Sequence, residues 1–353
     1  MKATVHPYLL NFKQPAGTSR GILRTKESFF LRIEDAGSPF GIGLGEVGIL
    51  RGLSVDDVPE LESQLVWTVK NIHLGLEELY VRNLTFPSIQ FALEQAFSHL
   101  QHGFHHFDTP FSRGEQGQSI NGLIWMGSKD FMLDQIQCRL AEGFKTLKMK
   151  VGAISWADEL TLLKGIRERF SSSDLILRVD ANGAFDRSSI VPVVHELAAL
   201  EVHSIEQPLP PADREGLAQI CATSPVPIAL DESLIGVFSA VEKERLLDEV
   251  RPQFIILKPS FIGGWRGSNE WIDCAKARGI AWWATSALES TVGMNAIAQW
   301  TATKQLLLPQ GLGTGSLYTN NIPGPLEVKN GELWTVGDVQ KLWSFPDSVS
   351  PFK

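Results

Sequence analysis

The sequence predicts an α/β protein in which an α+β N-terminal region precedes a barrel of parallel βα units, and three observations predict it. From residue 120 onward, short apolar runs rich in β-branched and aromatic residues alternate with segments of helical length. Five of these runs end on a charged residue, Lys150, Asp180, Glu206, Asp231 and Lys258, at intervals of 30, 26, 25 and 27 residues. One βα unit of a parallel barrel takes roughly 30 residues. The first hundred residues follow a different rhythm, strands first and helices after.

Taken in order, Phe29-Phe30-Leu31-Arg32-Ile33 reads as a strand, and Gly41, Gly43 and Gly45 read as a glycine-rich turn. They do not form a dinucleotide loop, because Glu46 stands where the last glycine of GxGxxG belongs and no βαβ unit begins there. Leu61, Leu65 and Val69, then Ile89, Leu93, Ala96 and Leu100, recur at helical spacing and mark two buried helix faces. Residues 101–118 are polar and aperiodic, an interdomain connection, and His99, His102, His105 and His106 at its start read as solvated rather than as a metal cluster. The barrel strands fall at 120–126, 146–150, 175–180, 203–206, 227–231, 254–258 and 280–285, with a short eighth near 306–311. The tail, with Pro323-Gly324-Pro325, Asn330-Gly331 and Trp334, reads as turns and a hairpin returning to the first domain.

Bulk properties exclude several functions. The 353 residues are 43% hydrophobic and 20% charged, ordinary for a globular chain of more than one domain. A net charge of −8 gives no reason to expect nucleic acid or anionic lipid as a partner, so a small molecule is expected, with homo-oligomerisation left open. Cys138, Cys221 and Cys274 form no CxxC pair and read as reduced core thiols. No apolar leader or membrane-length run is present, and a cytoplasmic location is expected.

Active sites of parallel barrels lie at the C-terminal ends of the strands, so the five charged ends are expected to converge. Three carboxylates meeting in a low-dielectric site repel unless a cation joins them. Asp180, Glu206 and Asp231 offer only oxygen, which suits Mg2+ (or Mn2+) better than zinc; the competing role, capping the helices that follow, is disfavoured by their common register. Lys148 and Lys150 flank Met149 and share one strand face; on a surface strand that face is simply solvated, but a buried parallel strand does not place two lysines inward without cause. Mutual repulsion and desolvation lower lysine pKa values, so one of the pair can serve as a base, and Lys150 is nearer the strand end. Lys258 faces it from the sixth strand. Asn182 and Glu232 follow two of the carboxylates and are expected to orient them or to pair with Lys148.

Together, Lys148-Met149-Lys150, Asp180-Ala181-Asn182-Gly183, Glu206-Gln207-Pro208, Asp231-Glu232-Ser233 and Lys258-Pro259-Ser260 resemble the enolase superfamily, in the muconate-lactonizing subgroup with lysines on strands two and six. The resemblance implies a (β/α)7β TIM-like barrel over 111–320, an α+β capping domain with a lid loop over 1–110, and a C-terminal return to the cap over 321–353. It also implies proton abstraction α to a carboxylate, with magnesium stabilising the enediolate. Members resembling mandelate racemase use a strand-seven histidine, and no histidine follows His203.

Within the subgroup, Thr285-Ser286-Ala287-Leu288-Glu289-Ser290, Ile120-Asn121-Gly122-Leu123-Ile124-Trp125-Met126-Gly127 and Gly311-Leu312-Gly313-Thr314-Gly315 resemble the o-succinylbenzoate synthase family, lyases of menaquinone biosynthesis. The strand-eight Asp-x-Asp of dipeptide epimerases is replaced by Gly313-Thr314-Gly315-Ser316. An N-acylamino acid racemase or dipeptide epimerase, with Lys150 and Lys258 as two bases on opposite faces of one carbon, is the alternative. A non-catalytic binding barrel is remote, since no lysine or carboxylate is missing. Ser260, Ser286, Gly313 and Thr314, and Arg20 of the lid loop, are candidate contacts to substrate carboxylates.

Overall fold

The computed structural model describes residues 1–18, 21–152 and 154–346. The chain opens with a long antiparallel hairpin, β1 (Lys2–Thr18) and β2 (Gly21–Glu34), joined by β3 (Ile42–Val47). Helices α1 (Leu61–Lys70), α2 (Gly75–Arg82) and α3 (Pro87–His102) follow. The expected glycine turn is instead strand β3. A Cβ on Gly43 or Gly45 would stand 2.1 or 2.0 Å from the Ala96 or Ala92 carbonyl oxygen, so the alternating glycines let one strand face lie directly on the backbone of α3.

After β4 (Gln118–Ser119) the barrel runs as β5 (Gly122–Ile124), α4 (Lys129–Ala141), β6 (Thr146–Lys150), α5 (Trp156–Arg167), β7 (Ile176–Asp180), α6 (Ile190–Ala199), β8 (Ser204–Glu206) and α7 (Arg214–Thr223). It continues with β9 (Ile228–Leu230), α8 (Ala240–Val250), β10 (Phe254–Leu257), α9 (Pro259–Ile262), α10 (Gly264–Lys276), β11 (Ala281–Ala284) and α11 (Thr291–Ala302). Strands β5 to β11 pair in parallel and in sequence order. The eighth strand contracts to two residues: Gln310 bridges Ile120 on one edge, and Gly311 bridges Thr285 on the other. Those two bridges join both edges of the sheet.

Residues facing out of the strands pack under the surrounding helices, whereas Ala229, Ile256 and Trp283 fill the interior, where the Arg178 guanidinium lies 3.9 Å from the Trp283 ring centre. The N-terminal region has a core of its own between its sheet and helices. The C-terminal hairpin, β12 (Leu326–Lys329) and β13 (Glu332–Thr335), pairs with β4 and not with the N-terminal sheet. The chain meets that region through backbone and side chains: Tyr318 forms an antiparallel bridge with Phe12, flanked by the Lys13 amide donating to the Leu317 carbonyl and the Thr319 amide to the Asn11 carbonyl, and Trp343 stacks on Phe104 at 4.0 Å beside Phe30 and Leu44.

Glu46, at the end of β3, locks the two parts together. Its carboxylate accepts from the Ser290 amide (2.9 Å), the Ser290 hydroxyl (2.5 Å) and the Gly293 amide (3.0 Å), so an anion from the first region caps the N-terminus of α11. Among the described residues no helix is long and apolar enough to cross a membrane. Of the three thiols, Cys221 and Cys274 are buried and Cys138 is exposed, so only two are core residues.

Of the four histidines expected to be solvated, His102 is exposed and His105 half-buried, but His99 and His106 are buried. His99 is buried and accepts from the Leu44 amide through Nδ1 (3.1 Å); buried His106 lies edge-on to Trp265. Burial pushes His99 down to about 4 from an ordinary value of 6.5. As pH falls through this interval the unfolded chain takes up the proton and the folded one does not, so stability present above 6.5 is lost progressively toward 4. This contribution is about 3 kcal/mol. In urea unfolding measured between pH 7 and 4, His99→Asn, which keeps the acceptor but cannot titrate, is expected to show a shallower loss of stability than the wild type.

Candidate active site

Strand alternation aims the charged groups. On β6, Leu147 and Met149 join the apolar layer beneath the helices, so Thr146, Lys148 and Lys150 point the other way, into the barrel. Lys150 is paired in register with Asp180, and Asp180 with Glu206. One residue beyond β9, Asp231 enters a turn that Gln207 organises: the Gln207 carboxamide oxygen accepts from the amides of Asp231 (3.1 Å) and Ser233 (3.2 Å). Asn182 and Gln207 both have positive φ, 45° and 40°, which lets the chain leave β7 and β8 sharply at the mouth.

All five charged strand ends meet there. The Lys148 ammonium donates to Glu206 Oε1 at 2.6 Å and lies 2.9 Å from Asp180 Oδ2. Lys150 donates to the same Asp180 oxygen (2.9 Å) and to Asn182 Oδ1 (2.7 Å), and Lys258 donates to Asp231 Oδ2. Asn182 in turn donates to Glu232 Oε1 (2.9 Å) through its side chain and to Asp180 Oδ1 (3.1 Å) through its amide, so of the two expected roles, orienting a carboxylate or pairing with Lys148, the contacts of Asn182 match the first. The three carboxylates are only 1–2% exposed. Among the described residues no three aspartate, glutamate, histidine or cysteine groups surround a common point, because the lysine ammoniums stand between the carboxylates.

Burial and the negative charge of Asp180 push Glu206 up to about 8, against the pull of Lys148. For Asp180 burial acts upward too, but Lys148 and Lys150 outweigh it and hold the carboxyl well below its usual range. Lys148 shows the opposite of the lowering expected from crowding with Lys150: burial lowers it, but Asp180 and Glu206 prevail and raise it. Lys258 is likewise raised, Asp231 and Glu232 overcoming burial. Lys148 is therefore held as a cation.

A cleft of about 650 Å³ opens over these groups, with Lys148, Lys150, Asp180, Asn182 and Lys258 at its floor. Ser286, Gly313 and Thr314 line it as expected, Ser286 Oγ standing 2.5 Å from Thr314 Oγ1. Ser260 does not: it is fully buried behind the wall, its hydroxyl donating to Glu289 at 2.5 Å, because the residue after Lys258-Pro259 turns back into α9. Arg20 lies outside the described residues. Sequence reasoning missed the apolar walls: Leu23, Leu50 and Leu53 from the N-terminal region, Leu123 and Trp125 from the end of β5, and Phe261. Trp125 had a signal, since it closes the first barrel strand as the charged residues close the others. Leu50 and Leu53 had none.

The chain as a whole is similar to known proteins. The model of the family described as enolase C-terminal domain-like matches residues 132–337. An o-succinylbenzoate synthase of Desulfotalea psychrophila is 43% identical, over 92% of this chain and 96% of that one. The solved structure of MenC from the same organism superposes with a TM-score of 0.83 at 38% identity, covering 95% of this chain and 99% of that one. An N-succinylamino acid racemase of an Amycolatopsis species is 26% identical, over 90% of this chain and 88% of its own.

With divalent cations chelated at pH 7, Lys148→Met leaves Asp180 and Glu206 buried and facing each other without their shared ammonium. Breaking a buried ion pair from one side costs about 3–5 kcal/mol. A drop of the urea midpoint corresponding to about 3 kcal/mol or more is the expected result.

Proposed function

The chain belongs to the enolase superfamily, and from that premise we propose that it acts as an o-succinylbenzoate synthase, a hydro-lyase that dehydrates 2-succinyl-6-hydroxy-2,4-cyclohexadiene-1-carboxylate to 2-succinylbenzoate for menaquinone biosynthesis. Identity to the Desulfotalea psychrophila enzyme over nearly the whole chain supports the assignment. Among the structural features, the one that carries it is the chemistry of the cleft. Lysines stand at its floor, leucine, tryptophan and phenylalanine form its walls, and among the described residues Asp180 is its sole acidic lining group. An apolar ring with a carboxylate suits those walls, whereas the ammonium of a dipeptide finds no described anion beyond the floor.

In this proposal Lys150 takes the proton from the carbon bearing the carboxylate, and the Lys258 ammonium stands beside the enediolate oxygen that develops. The proton on Lys150 then passes to the departing hydroxyl on the same face, which leaves as water while the ring becomes aromatic. Asn182 holds the Lys150 amine at 2.7 Å and so aims it. The raised Lys148 supplies fixed positive charge beneath the site.

Asp180, Glu206 and Asp231 would hold Mg2+, or Mn2+ in its place. The donor set fits: three buried carboxylates on adjacent strands supply hard oxygen, and burial together with the charge of Asp180 disfavours the ionised form of Glu206, a cost that a dication would offset. When bound, the ion supplies Lewis-acid stabilisation of the enediolate. As domains, we propose 1–110 as the cap, 111–320 as the barrel and 321–353 as the return.

The decisive measurement follows aromatic product by absorbance with purified protein, magnesium and the cyclohexadiene substrate, beside deuterium exchange into N-succinyl amino acids and dipeptides. Dehydration is expected; exchange without dehydration would assign the protein to the racemases instead. Lys150→Ala and Lys258→Ala should each lower kcat by about 10³-fold or more while magnesium still binds. Normal turnover by Lys150→Ala would refute its role. Chelation should abolish turnover, added magnesium should restore it, and Asp231→Asn should raise the magnesium concentration needed by about tenfold, the effect of losing roughly 1.4 kcal/mol of binding.

A further inference from the structure

The cleft wall beside Lys258 is the short segment between β11 and α11, where Ser286, Ala287 and Leu288 line the cavity. Its backbone is held in an unfavourable shape. Leu288 has φ 63°, a left-handed conformation that costs a branched, non-glycine residue of order 1–3 kcal/mol and persists only where neighbours enforce it.

Hydrogen bonds to Glu289, Ser286 and Tyr318 enforce it here. The Ala287 amide donates to Glu289 Oε2 at 2.7 Å, the Leu288 amide to Ser286 Oγ at 3.3 Å, and the Tyr318 hydroxyl to the Leu288 carbonyl at 2.7 Å. The other Glu289 oxygen accepts the Ser260 hydroxyl at 2.5 Å, and Ser260 stands two residues beyond Lys258. Glu289 is fully buried and, unlike Asp180 at the floor, does not line the cleft.

A buried carboxylate needs compensation, and it comes from the N-terminal sheet. A Cβ on Gly48 would meet Glu289 Cγ at 3.2 Å, Ser260 Oγ at 3.3 Å and Lys26 Nζ at 3.5 Å, so these three side chains close around one glycine-sized space. Lys26 is itself buried on β2 and bonded to Ser28, which donates to Glu46. The junction between the two parts of the molecule thus carries a buried cation to the back of the cleft wall.

We propose that Glu289 is a positioning residue for the dehydration: its two oxygens tie the segment after Lys258 to the segment after β11 and hold Ser286, Ala287 and Leu288 as the wall against which the substrate ring lies. Lys26 is the counter-charge that permits this arrangement only when the N-terminal sheet is docked. This role rests on the dehydratase function stated above. A wall contacts bound substrate and transition state alike, so its loss should appear in KM more than in kcat.

The test compares steady-state dehydration by the wild type, Glu289→Ala, Glu289→Gln and Tyr318→Phe with magnesium, together with thermal melts. Glu289→Ala is expected to raise KM about tenfold while kcat falls less than about threefold, an effect of that size being ordinary for one lost positioning contact. Glu289→Gln should bring KM back to within about threefold of wild type, since its amide oxygen still accepts from Ala287 and its amide nitrogen can donate to Ser260. Tyr318→Phe, which loses only the bond to the Leu288 carbonyl, should raise KM about threefold. If Glu289→Ala does not fold, Tyr318→Phe and Ser260→Ala decide the question in its place. Unchanged KM in these variants while the wild type is active overturns the positioning role; failure of the wild type to dehydrate overturns the function itself, and the two results cannot be confused.

Discussion

Asp180, Glu206 and Asp231 carry like charges into a space that is almost closed to water, and most of the molecule is arranged around offsetting that. Parallel pairing gives them no freedom to separate, because the hydrogen-bond register that joins β6, β7 and β8 sets Lys150, Asp180 and Glu206 side by side. Burial first, and the nearby charge of Asp180 second, make the ionised form of Glu206 costly and raise it to about 8. Lys148, Lys150 and Lys258 answer the carboxylate charges from the neighbouring strands on either side. Lys148 and Lys150 share Asp180, whereas Lys148 is the lysine paired with Glu206 and Lys258 the one paired with Asp231, so loss of either of these two strips a buried carboxylate of its paired cation.

The same shortage of water gives the floor its chemical use. Leu23, Leu50 and Leu53 come from the N-terminal region and close over the barrel mouth, so a substrate there meets fixed dipoles and charges rather than solvent. That closure needs the two parts of the molecule to dock in one geometry. Glu46 on the end of α11 supplies it through charge on a helix terminus, while the glycine face of β3 on α3 fixes the N-terminal region itself through a backbone approach that no side chain would allow. Lys26 extends the same junction to the back of the cleft. The closure of the floor and the shape of the wall therefore both depend on a surface remote in sequence, Glu46 lying 244 residues from Ser290.

What composition and spacing determined was the barrel, its strand ends and the charges on them. Lys148, Lys150, Asp180, Glu206, Asp231 and Lys258 were legible because strand alternation and one-unit spacing are local properties of a chain, and a charge that closes an apolar run marks the point where a barrel strand reaches the mouth. Features that depend on a distant partner were not legible. The GxGxG stretch looked like a turn because a glycine's purpose depends on what approaches it, and here that is the backbone of α3. His99 and His106 looked solvated because their burial comes from Leu44, Trp265 and other groups remote in sequence. Ser260 looked like a substrate contact, yet it faces Glu289 once α9 turns back. The leucine walls of the cleft left no trace at all, since an apolar residue in a loop reads the same whether it meets solvent, core or substrate. Local periodicity thus decided the charges and their order, while tertiary packing alone decided which side chains share the space around them, because contact between distant segments is written in no single stretch of the chain.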